Sequence, residues 1–214
     1  MNKIKSLLVY SIVLITIILV KINSLSAQSV DFKIESWEKR INDRQPPEIV
    51  MEEAGFESGM TVGEVGAGTG RMTLWIADKI GPEGIIYAND IDEQGLKHLE
   101  DRAMEAGFEN IRTIVGSVTE PGFPDGLLDV VFMINVYHHL DDPVALLRNT
   151  RSAFKPGGYL VIVDCDPDKV AWGKGHGCTG KELMRDKLKL AGYELVEISD
   201  VLSEDGIYIA RPVR

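Results

Sequence analysis

Two cysteines in 214 residues, Cys165 and Cys178, are too few for a scaffold stapled by several disulfides, so a buried core must hold the chain together. If the chain is exported, a single bond closing the loop between them is open to it; in the cytosol two reduced thiols are the ordinary state. Long apolar runs are equally scarce. The longest, Leu7 to Val20, stops at Lys21 after 14 residues, short of the ~20 that a relaxed transmembrane helix needs. Positive charge is in deficit, with 23 Lys and Arg against 33 Asp and Glu and a formal net charge of -10. Three of the lysines and none of the acids fall in residues 1–27, which leaves 20 basic side chains to face all 33 acidic ones. A surface of that sign repels phosphate backbones and argues against a nucleic-acid partner. There is no internal repeat and no low-complexity tract, which excludes solenoids and compositionally biased linkers.

What is present begins with a leader. Lys3 and Lys5 precede the apolar run, and a small polar stretch from Asn23 to Gln28 follows it, the layout of a signal peptide cleavable after Ala27. An uncleaved membrane anchor through residues 7–20 is the alternative. Either reading puts the domain of residues 28–214 outside the cytosol or at a membrane. Lysines and arginines on both flanks leave the side open.

Behind the leader, Ser36 to Gly55 reads as helical with a break at Pro46 and Pro47. Short apolar, often β-branched segments then alternate with longer amphipathic ones. The expected strands are Thr61 to Val65, Gly84 to Asp90, Ile111 to Val115, Leu128 to Ile134, Tyr159 to Asp164, Tyr193 to Ile198 and Gly206 to Arg211. The expected helices are Arg71 to Ile80, Glu93 to Ala106, Pro143 to Phe154 and Lys181 to Ala191. Strict alternation predicts a Rossmann-like α/β sandwich of three layers around a seven-stranded, mostly parallel sheet. Too few residues separate the last two strands for a crossover helix, so the final strand runs antiparallel.

The sharpest motif is Glu64-Val65-Gly66-Ala67-Gly68-Thr69-Gly70, set where the first strand turns into the first helix of the alternating series. Alternate glycines there let the backbone turn tightly and approach a ligand. The dinucleotide fingerprint needs a glycine where Arg71 stands, and the loop lacks the lysine of a P-loop, so nicotinamide and nucleoside triphosphates are disfavoured. Asp90, at the end of the second strand and about 20 residues past the glycine loop, has the geometry to accept hydrogen bonds from both ribose hydroxyls. Its other role would be a helix N-cap, for which Asp92 serves as well.

This run, with its carboxylate two residues before the first glycine, resembles the first motif of the class I S-adenosylmethionine-dependent methyltransferases. Gly116-Ser117-Val118, Asn135-Val136-Tyr137-His138-His139-Leu140-Asp141-Asp142-Pro143 and Phe154-Lys155-Pro156-Gly157-Gly158 follow in order. Together they resemble the family's broad small-molecule branch, which includes quinone-pathway methyltransferases. The resemblance covers roughly Pro46 to Asp164. It implies S-adenosyl-L-methionine as cofactor, held by Glu64, Gly66, Ala67, Gly68, Gly70, Asp90, Ile91, Ser117, Val118 and Asn135. At Ser117 the family commonly has an aspartate for the adenine amino group, and here that contact falls to a hydroxyl or to the main chain.

The expected reaction is methyl transfer to an oxygen, nitrogen or carbon of a small or lipophilic acceptor. Alignment supplies much of the rate, and a base is needed only if the acceptor carries a proton. His138 and His139 follow the fourth strand, where open α/β sheets bind ligands, and a pKa near ~6.5 suits either as that base. The loop from Asp164 to Gly180 is rich in Asp, Cys and His, but its spacings match no zinc pattern, and no metal is expected. That loop, with Trp172 and the helix around Trp37, is expected to shape the acceptor pocket, and Trp75 to be core. Two other classes stay in view: a nicotinamide-dependent oxidoreductase and a cofactor-binding protein without turnover.

Overall fold

A computed structural model describes residues 30–170 and 177–213. The chain divides into residues 1–31 and 32–214, and the fold below is that of the second unit. The leader expected over residues 1–27, and Trp172 and His176, lie outside the described residues. Among the described residues no helix is long and apolar enough to cross a membrane.

Two short helices open the domain, α1 (Ser36–Arg44) and α2 (Pro47–Glu53), split at the two prolines as their chemistry requires. Alternation then follows: β1 (Thr61–Val65), α3 (Arg71–Ile80), β2 (Ile85–Asp90), α4 (Glu93–Ala106), β3 (Ile111–Val115) and β4 (Leu128–Ile134). The second half holds α5 (Pro143–Thr150), β5 (Phe154–Cys165), α6 (Lys181–Ala191), β6 (Tyr193–Ser199) and β7 (Asp205–Pro212). Short 3₁₀ turns cover Tyr137–His139 and Arg151–Ala153.

The seven strands form one sheet in the order β3-β2-β1-β4-β5-β7-β6. The first five strands pair in parallel, while β7 runs antiparallel between β5 and β6. Central β4 is buried along nearly its whole length, whereas edge strand β3 is not buried at any position. That is the burial a sheet covered on both faces imposes. One face packs Val50, Phe56, Met72, Ile76 and Phe132; the other packs Leu146, Leu147, Met184, Leu188 and Tyr208. Trp75 is only partly buried, edge-on to Phe32 with ring centroids 5.0 Å apart.

Two boundaries differ from the sequence reading by more than two residues. The helix from Pro143 ends at Thr150, and Phe154 belongs instead to a 12-residue β5. Phe154 pairs with Leu128, and a register shift between Leu128 and Val130 lets the Lys155–Gly158 stretch stay within the strand. The reversal of strand order between β1 and β4 opens a crevice at their carboxyl ends, where such sheets hold ligands.

Candidate functional site

The crevice is floored by the loop after β1. Gly66, Gly68 and Gly70 take φ of 73°, 54° and 93°, values that side-chain-bearing residues rarely adopt. At Gly66 a Cβ would also collide with Val136 of the loop after β4, while at Gly68 one would meet nothing within 4 Å. The loop is therefore packed tightly against protein at one glycine and has open space beside the next. Gly66 and Ala67 N–H both donate to the Asn89 carbonyl, at 2.8 and 2.9 Å. The Ala67 side chain turns into the core with Leu74 and Leu99, so only its main chain can meet a ligand.

Asp90 stitches this loop to the next. One carboxylate oxygen accepts from Gly68 N–H at 2.7 Å and the other from Asp92 N–H at 2.9 Å. The capping role falls to Asp92, whose side chain accepts from Gln94 N–H at 3.0 Å at the start of α4. Each Asp90 oxygen keeps a lone pair, as a pair of ribose hydroxyls would require.

A cavity of about 220 Å³ opens here, and its walls bring together Gly66, Asp90, Ile91, Ser117, Val118 and Asn135. His139 joins them from the 3₁₀ turn. Ile91 and Val118 are 62% and 58% exposed, apolar surfaces left uncovered on the walls, as a flat ring would need. The Ser117 hydroxyl accepts from Glu120 N–H at 3.1 Å, which leaves its own proton to donate. These features fit a nucleoside with an amino-acid tail.

Glu64 lies under the loop rather than in the cavity wall. It is 2% exposed, accepts from the Thr73 hydroxyl at 2.6 Å, and burial pushes its carboxyl up to about 7. Arg71, where a dinucleotide fold would place glycine, is buried too and donates to Asn42 and Gln45 at 3.0 Å each. Burial brings its guanidinium down to about 10.

A second cavity, about 540 Å³, adjoins the first through the shared residues Asn135 and His139. Helix α1 supplies Arg40, Ile41 and Arg44 to its wall, and His138, Cys165 and Glu204 line it from the sheet side. Trp37, expected to shape this pocket, is not in the wall; it is 42% exposed and donates to Glu35 at 2.6 Å. Asn135 takes φ 58° and exchanges two 2.8 Å hydrogen bonds with the Gln45 amide, fixing α1 against the loop after β4.

The two histidines differ in support. His138 Nδ1 lies 2.6 Å from Asp164 Oδ1, and His138 N–H donates to the other Asp164 oxygen at 3.1 Å. Asp164 is 1% exposed at the end of β5. Its hydrogen bond holds the His138 imidazole above the ordinary histidine value, against the opposing effect of burial. With Nδ1–H committed to the carboxylate, Nε2 is the ring nitrogen left to accept a proton. His139 is exposed, its ring tilted by 48° against that of His138 with centroids 3.9 Å apart.

The residues that sequence reasoning missed are Arg44 and Gln45 of the α1 segment, and Asp164 as the partner of His138. Asp164 had a readable signal, a carboxylate closing a central strand; the α1 residues had none. Among the described residues the one cluster with metal-ligand types is His138, Asp164 and Cys165. Cys165 is bonded to Cys178, with Cα atoms 5.2 Å apart, so it offers no thiolate.

Asp164→Asn should return the His138 titration toward the ordinary value of about 6.5, followed by imidazole NMR shifts against pH. The sign is fixed. A raised folded-state value means that the pair stabilises the fold below about pH 6.5 and that this contribution fades as pH rises through the His138 value. An unmoved titration would show that Asp164 is not the cause.

Residues 63–162 match a family model described as a methyltransferase domain. A demethylmenaquinone methyltransferase of Listeria welshimeri is 32% identical over 117 residues, which cover 54% of this chain and 50% of that protein. Its namesake from Geobacillus stearothermophilus is 30% identical over 115 residues, covering 54% and 49%. The chain thus spans about half the length of these relatives. Among solved structures, a SAM dependent methyltransferase from Aquifex aeolicus superimposes with a TM-score of 0.72 at 26% identity, covering 83% of this chain and 98% of that one. Glycine loop, sheet order and these likenesses agree, and together they support a class I S-adenosylmethionine-dependent methyltransferase.

Proposed function

We propose that this chain methylates a hydroxyl of a small acceptor, with His138 as the base. The observation that carries the reading is the contact between the two cavities at Asn135 and His139, with His138, backed by the buried Asp164, lining the second. When bound, S-adenosyl-L-methionine supplies the methyl group to the acceptor oxygen and leaves as the neutral thioether S-adenosylhomocysteine. Gly66, Gly68 and Asp90 hold it on the glycine-loop side, with Ile91, Ser117 and Val118 around its base. His138 Nε2 takes the hydroxyl proton, and Asp164 fixes the tautomer and stabilises the imidazolium that forms.

A nicotinamide oxidoreductase is not supported. Arg71 fills the third-glycine position with a buried side chain bonded to Asn42 and Gln45, which obstructs close approach of a pyrophosphate to α3. We further propose export of the domain. The leader-like segment of residues 1–27 and the Cys165–Cys178 bond support it, because such bonds persist mainly in oxidising compartments.

Asp90→Ala should weaken cofactor binding by about 1.5–3 kcal/mol in calorimetry, the range for hydrogen bonds to a charged group. Asp92→Ala, which removes only the helix cap, should leave affinity unchanged; equal losses in both variants would mean that Asp90 acts through loop structure. His138→Gln should lower kcat by about 10²-fold or more while leaving cofactor affinity intact. The wild-type rate should rise with pH through a value above the ordinary ~6.5. A full rate in His138→Gln would remove the base. Protein alkylated directly on cell lysis should take up label only after reduction, and two free thiols at that moment would overturn export.

A further inference from the structure

The second cavity presents several charged groups to whatever enters it. Of the described residues that line it, Ile41 and the disulfide-bonded Cys165 are apolar, and Arg40, Arg44, Asn135, His138, His139 and Glu204 bring polar or charged groups.

The charges in this wall are unequally matched. Arg44 Nη1 lies 3.3 Å from Glu204 Oε2, and its Nε lies 3.5 Å from the fully buried Asp205. Glu204 and Arg44 therefore satisfy one another, and Asp205 adds a second negative charge beneath. Arg40 is different: one turn before Arg44 on α1, it lines the same cavity, is exposed, and makes no hydrogen bond or ion pair with another described residue. That leaves a guanidinium without a protein partner among the described residues, on the same cavity wall as the histidine base, where an anion entering the cavity can meet it.

We propose that Arg40 holds a carboxylate of the acceptor while the hydroxyl to be methylated sits at His138, so that the substrates are small hydroxy-acids, aromatic or aliphatic, rather than neutral quinols. The inference rests on the methyl-transfer reading above and narrows its acceptor. A guanidinium suits the task because its planar fork meets a carboxylate in two parallel hydrogen bonds and is less strongly hydrated than an ammonium. Arg40 sets specificity through the anion, and the proton of the reacting hydroxyl still goes to His138 Nε2. The cavity, about 540 Å³, is of a size for a ring with short substituents.

The test uses the full chain, first titrated with S-adenosylhomocysteine and then saturated with it. Calorimetry follows with 3,4-dihydroxybenzoate, catechol and menadiol, which share the hydroxyl but differ in the anion. 3,4-Dihydroxybenzoate should bind at least about ten-fold more tightly than either neutral probe. Arg40→Gln should erase that preference, Arg40→Lys should keep part of it, and catechol affinity should not move in either. In turnover, Arg40→Gln should raise KM for the acid and spare kcat. Equal binding of acid and catechol, no binding of any probe, or a preference that survives Arg40→Gln each overturns the inference. Failure of S-adenosylhomocysteine to bind in the first titration indicts the methyl-transfer reading instead, so the two failures are distinguishable.

Discussion

The buried ion pair between Arg102 and Glu38 is the contact on which the rest of the site depends. Helix α1 buries only one residue, Glu38, so the hydrophobic effect does little to hold it. Arg102 on α4 grips both Glu38 oxygens at 2.8 and 3.1 Å and also donates to the Thr69 carbonyl in the glycine loop at 2.7 Å. One guanidinium thus joins three elements that the chain must bring together before either cavity exists. Side-chain exposure of 8% and 3% leaves the pair little solvent screening, and removing one partner of such a pair typically costs about 3–5 kcal/mol. Net stabilisation is not its main contribution, since a well-packed apolar pair often does as well. What it supplies is a single placement for a polar helix.

That placement is repeated by further polar bonds along the same edge. Arg71 donates to Asn42 and Gln45, Gln45 exchanges bonds with Asn135, and Arg44 reaches Glu204 and Asp205. Each bond ties α1 or the residue after it to another part of the chain: the start of α3, the loop after β4, or the start of β7 and the residue before it. Such a network is directional where an apolar interface is not, so α1 cannot slide without leaving buried donors unpaired. The acceptor cavity is consequently as precise as its polar lining. The disulfide adds a covalent limit on the other side: closing a span of 13 residues contributes about 3 kcal/mol in the chain-entropy picture, and it begins one residue after Asp164.

Much of this architecture was legible in the sequence, and the reasons are local. β-branched runs with short loops identified the strands, and the three glycines located the loop because its positive φ values admit little else. Asp92 as a cap was readable from its place before Glu93. The missed parts are non-local. Glu38 and Arg102 stand 64 residues apart, and nothing near either one announces the other. The start of β5 was hidden because Lys155-Pro156-Gly157-Gly158 has turn chemistry, and only its neighbour β4 and a register shift make it strand. Insertion of β7 between β5 and β6 likewise depends on a sheet edge that is defined only once β5 is in place.

Asn135 shows how the two cavities come to meet at a fixed point. Its φ of 58° is a conformation that costs a side-chain-bearing residue roughly 1–2 kcal/mol, though asparagine tolerates it better than most. The cost is offset on both sides of the residue: its N–H donates to the Val163 carbonyl at 3.0 Å, and its amide is locked to Gln45. A glycine could take the same backbone but could not hold α1, and a larger residue could reach α1 but would resist the backbone. The turn that Asn135 makes sends the chain directly into the 3₁₀ segment bearing His138 and His139. The backbone constraint that closes the cofactor crevice is therefore the one that presents the base to the acceptor cavity, and cofactor and acceptor chemistry share one hinge.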